Sequence, residues 1–141
     1  DGSSWLSMTH DGYLEPFGLL HRRRLYLAAA GDDLRGEDRL TPERHVVEPR
    51  AFVLRFHLHP SVRASLVENG AAILLRLPKG DGWRFQTRGA TLALDDSLYL
   101  GAAGAARRSN QIVLSGESSS AGAEVKWALR RVSGRVETRG R

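Results

Sequence analysis

No cysteine occurs in the chain, which excludes disulfides and thiolate metal sites and leaves His, Asp and Glu as the side chains able to hold an ion. Apolar runs approaching the roughly 20 residues of a membrane-crossing helix are also missing, and Asp1-Gly2-Ser3 lacks the charged start of a signal peptide. We therefore expect no membrane partner, and the missing initial Met leads us to expect a piece of something longer. Convincing 3.6-residue periodicity is absent too, which argues against a helical bundle. Lysine is scarce: among 21 basic residues only Lys79 and Lys126 are not arginine.

What is present fits one domain. In 141 residues, 41% hydrophobic content suffices for a single buried core. The excess of basic over acidic side chains gives a formal charge of +5, so an anionic partner is expected. Guanidinium forks match carboxylate, sulfate and phosphate alike, and charge alone does not separate glycan from nucleic acid. No nucleic-acid motif accompanies the charge, which places nucleic acid behind an acidic polysaccharide.

Short alternating stretches separated by turn residues predict strands over 4–9, 19–28, 51–59, 72–77, 83–88, 91–94, 97–101, 111–116 and 124–132. The fold expected is all-β, an antiparallel β-sandwich with few or no long helices, over residues 1–132, with 133–141 as a flexible tail. Lys79-Gly80-Asp81-Gly82 supplies the glycines of a hairpin turn. Asp95 is expected in a turn after Leu94. Alternation puts Arg22 and Arg24 on one face of their strand and Arg23 on the other, so the three cannot grip one ligand together. Trp83 and Trp127 sit at apolar positions and are expected in the core, whereas Trp5 could stack on a sugar ring.

Taken in order, Ser7-Met8-Thr9-His10-Asp11-Gly12-Tyr13, Phe17-Gly18-Leu19-Leu20-His21-Arg22-Arg23-Arg24, Asp33-Leu34-Arg35-Gly36-Glu37-Asp38, Arg55-Phe56-His57-Leu58-His59-Pro60, Gly82-Trp83-Arg84-Phe85 and Val125-Lys126-Trp127-Ala128-Leu129 resemble the C-terminal region of bacterial heparinase II/III-like polysaccharide lyases. The resemblance covers nearly the whole chain, and its specificity lies in the ordered set. It implies a β-sandwich that partners a helical toroid of the same parent chain, in a bacterial periplasm or cytoplasm. Such lyases cleave uronate-containing glycans by β-elimination: a carboxylate is neutralised, the C5 proton removed and the O4 leaving group assisted.

For this chain the resemblance implies catalytic candidates His10 and Tyr13, and a zinc or other divalent-metal site on His21, Asp38 and His57, with His59 as the substitute ligand. Where better-studied lyases carry a reactive histidine, two residues before the first metal histidine, this chain has Leu19. Arg22 and Arg24 are the expected substrate-binding cations. Because the toroid supplies the main acid-base groups, the chain by itself is expected to be inactive. The alternative reading is a noncatalytic carbohydrate-binding or structural β-module.

Overall fold

The computed structural model describes residues 4–10, 19–43, 49–101 and 104–132, the first of these stretches by its backbone. Ten strands run through them: β1 (Ser4–His10), β2 (Leu19–Leu27), β3 (Asp33–Pro42), β4 (Arg50–His57), β5 (Arg63–Val67), β6 (Ala72–Arg76), β7 (Gly82–Arg88), β8 (Thr91–Leu100), β9 (Ala106–Ser118) and β10 (Ala123–Arg131). A single 3-10 turn at Glu68–Gly70 is the helical element among them. Seven strands form one antiparallel sheet in the order β1-β2-β3-β10-β7-β6-β5, and three form a second in the order β4-β9-β8.

The two sheets bury their alternate residues against each other. From the large sheet come Leu40, Ile73, Leu75, Phe85, Val125 and Trp127, and from the small one Phe52, Leu54, Ile112 and Leu114. Each such aliphatic or aromatic side chain withdrawn from water contributes about 1.5–3 kcal/mol before chain entropy is charged against it. This is the antiparallel sandwich that alternation implied.

The Lys79–Gly82 hairpin forms as expected, with the Leu77 amide donating to the Asp81 carbonyl and Gly80 at a φ of 91°. Three expectations need correction. Strand β3 and the short β5 were not foreseen. The stretch 91–100 is one continuous strand, in which Asp95 pairs with Gln111 and Asp96 with Asn110 rather than forming a turn. Strand β9 is also longer than alternation suggested, because its N-terminal end, Ala106–Ser109, pairs with β8 beyond the reach of β4. That ribbon carries Leu98 and Leu100 into solvent, at 70% and 74% exposure. The expected tail, 133–141, lies outside the described residues.

Candidate functional site

Strand β2 sorts its polar residues by parity. His21 and Arg23 turn inward with Leu19 and Leu25, while Arg22 and Arg24 are exposed on the outer face. Arg23 lies directly opposite Asp38 on β3, and β3 in turn pairs with β10, which carries Trp127. Three side chains thereby converge on Asp38, which is 2% exposed. Its Oδ1 accepts from His21 Nε2 at 2.6 Å and from Arg23 Nε at 2.7 Å, and its Oδ2 accepts from Trp127 Nε1 at 2.9 Å. Burial alone would push the carboxyl up. The hydrogen bonds from His21, Arg23 and Trp127, with the Arg23 charge, outweigh it and hold Asp38 below the ordinary carboxylate value.

Above this carboxylate, rings from both sheets close the space. Phe56 of β4 lies 5.0 Å from Trp127 and 5.6 Å from Phe85, centroid to centroid, and the Arg23 guanidinium carbon stands 5.3 Å from the Phe56 centroid. Arg23, half-buried, therefore bridges the two sheets, ion-paired to Asp38 of the large one and against an aromatic face of the small one.

Of the three expected metal ligands, the structure brings His21 and Asp38 together and leaves His57 elsewhere. Phe56 points inward, so His57, the next residue on β4, points outward, where its Nδ1 lies 3.0 Å from Ser97 Oγ. His59 is likewise exposed, hydrogen-bonded to Ser61 and packed edge-on against Tyr99. Among the described residues no three His, Asp or Glu side chains gather in a way that could hold an ion. Asp38 itself is engaged by three N–H groups, one of them from a cation. His10 lies on β1 opposite His21 in register, and Tyr13 lies outside the described residues.

A second region lies on the outer face of the large sheet, an open groove of about 1130 Å³. Strand register lays out its lining in two rows. One runs Arg24, Glu37, Lys126, Arg88 across β2, β3, β10 and β7; the next runs Tyr26, Arg35, Ala128, Gln86. With strands about 4.8 Å apart, a row of four spans roughly 15 Å. Ala128 on the central strand is small, which leaves a depression between longer side chains. Arg130 completes the lining; Asp33 accepts from Arg35 at 3.0 Å and pairs with Arg130 at 3.5 Å. Arg88 makes no ion pair among the described residues. Of the two expected substrate-binding arginines, Arg24 lines the groove, while Arg22 sits one row further, opposite Arg39, which is paired with Glu124 at 2.7 Å.

Sequence reasoning missed Arg23, Trp127, Arg35, Arg88, Lys126 and Arg130. The signal available for Arg23 was its spacing of two from His21, which puts both on one strand face. The groove cations are single residues on separate strands, and they become neighbours through pairing between distant segments.

Residues 1–128 match the Heparinase II/III-like, C-terminal family. FtsZ-localized protein C of Caulobacter vibrioides is 37% identical over 143 residues, covering 94% of this chain and 24% of that protein. Among solved structures, the heparan sulfate lyase HepC from Pedobacter heparinus superposes with a TM-score of 0.76 at 12% identity, over 95% of this chain and 20% of that one. A heparinase III structure gives 0.74 at 13%, over 98% and 21%. The chain thus spans about a quarter of its curated relative and a fifth of these structures, and likeness at such low identity speaks for the fold. Ordered motifs, sandwich topology and the match over nearly the whole length agree: this chain belongs to the Heparinase II/III-like, C-terminal family.

Proposed function

We propose that this domain is the glycan-facing β-sandwich of a larger lyase-like polypeptide, binding an acidic, uronate-containing polysaccharide across the outer face of its seven-stranded sheet. The observation that carries this reading is the groove, where Arg24, Arg88 and Lys126 share one row beside Arg35 and Arg130. Guanidinium groups offer paired N–H donors matched to carboxylate and sulfate oxygens, and Tyr26 offers a ring and a phenol to a sugar face. Such contacts position and neutralise a carboxylate. In this reading the proton transfers of β-elimination are completed by a helical toroid elsewhere in the polypeptide, with His10 and Tyr13 as this domain's candidates for a share.

Calorimetry with a polyuronate and with a neutral glucan, each over a salt series, tests the reading. Binding to the polyuronate should weaken as salt rises, and Arg24→Glu with Arg88→Glu should abolish it. Equal affinity for the neutral glucan would remove the basic groove from recognition.

A second reading is favoured by the 37% identity to a protein named for its localisation to FtsZ. In it the domain is a noncatalytic binding or structural module, and the polypeptide that contains it performs no elimination. Assay of that polypeptide on heparan sulfate, hyaluronan and alginate separates the two, since a lyase releases an unsaturated uronate that absorbs in the ultraviolet.

A further inference from the structure

We propose that the guanidinium of Arg23 is the resident cation of the His21–Asp38 site, standing where the sequence resemblance implies a divalent metal, so that this sandwich is held together without one. Three independent features support the substitution. Asp38 is heavily engaged: His21 and Arg23 share Oδ1, and Trp127 donates to Oδ2. A metal at Oδ1, the oxygen that faces His21, would have to displace a 2.7 Å ion pair.

The position of Arg23 is fixed by the backbone. It is the cross-strand partner of Asp38, and it shares the inward face of β2 with His21, so its charge falls beside the carboxylate. Strand β4, which would have to contribute an imidazole, contributes a phenyl ring instead. Phe56 turns inward and offers Arg23 its face at 5.3 Å, while His57 turns outward to Ser97. A guanidinium is planar, weakly hydrated and permanently charged, which suits it to an aromatic face on one side and a carboxylate on the other. A zinc ion would gain nothing from the ring.

Arg23 thus does in one side chain what a bridging ion does: it neutralises a buried acid and ties one sheet to the other. The arrangement also separates this domain from any requirement for metal loading, whatever the polypeptide around it binds.

The test begins with the unaltered protein, expressed in zinc-supplemented medium, dialysed, and measured for bound metal and thermal midpoint with and without EDTA. We expect substoichiometric metal and no shift of the midpoint with EDTA or with added Zn²⁺. Arg23→Gln, which keeps much of the length but not the charge, should lower the midpoint, and Arg23→Gln combined with Asp38→Asn should recover part of that loss, because the buried charge is then gone as well. A stoichiometric ion that disappears with Asp38→Asn, together with a midpoint lowered by EDTA, would overturn the proposal. So would an Arg23→Gln protein as stable as the original, or a double variant no more stable than Arg23→Gln alone.

Discussion

At Asp38 a single carboxylate is asked to accept from an imidazole, a guanidinium and an indole while excluded from water. Replacing it by Ala would leave the Arg23 charge and the Trp127 N–H without their partner, and breaking a buried pair in this way costs about 3–5 kcal/mol. We expect Asp38→Ala to lose that much in denaturant unfolding, and Asp95→Ala, on an exposed stretch of β8, to lose far less. The pH dependence has a definite sign. The native pKa of Asp38 is lowered, so its stabilising contribution is fully present above the unfolded value of about 3.9 and is lost as pH falls toward and through the lower native value. Acid unfolding of the native protein should therefore steepen below about pH 4 relative to Asp38→Asn, whose side chain does not titrate there. Curves for the two that stay parallel down to the acid limit would contradict this.

Glycine and aromatic residues act as pairs between strands. Gly36 on β3 is the register partner of Trp127 on β10, and a Cβ at position 36 would overlap the indole; on the small sheet Gly116 is likewise the partner of Phe52, and a Cβ there would come within 2.7 Å of the ring. Each ring lies over a neighbouring strand that has no side chain to obstruct it. Gly36→Ala should displace Trp127, break its bond to Asp38 and cost on the order of 1–3 kcal/mol, visible as a changed near-ultraviolet circular dichroism band. Gly31→Ala should leave that band alone, since a Cβ there meets nothing within 4 Å, although its φ of 70° adds local strain. These pairs also explain what the sequence concealed. The inward positions of β3 are Leu34, Gly36, Asp38 and Leu40, and two of the four are not apolar, so alternation gave no strand. Gly36 and Asp38 make sense only against Trp127, 89 residues from Asp38. Where each inward residue is apolar on its own account, as at Phe52, Leu54 and Phe56 of β4, the strand was legible. Arg23 could be assigned to the inner face by parity, but its partner stands on the strand that alternation hid.

At the scale of the molecule, two surface regions among the described residues have consequences: the basic groove and the far end of the β8–β9 ribbon. The outer face of the large sheet gathers cations onto alternating positions of β2, β3, β10 and β7, so binding of a polyanion should depend on several of them together. If the proposed polyuronate binding holds, single replacement of Arg88 by Ala is expected to weaken it by a few fold and to flatten its salt dependence, while Arg55→Ala, on the outer face of the other sheet, should change neither; titrations at two ionic strengths decide this. The two most exposed large apolar side chains among the described residues lie instead at the end of the β8–β9 ribbon, where Leu98 pairs with Arg108 and Leu100 with Ala106 past the last residue of β4. Two strands without a third, and with little burial, close only marginally. Isotope exchange should expose this as two clocks in one strand: amides of β9 near Arg107 and Arg108 would trade their protons through local opening, while those near Ile112 and Leu114, at the centre of the sandwich, would wait for the whole domain to unfold.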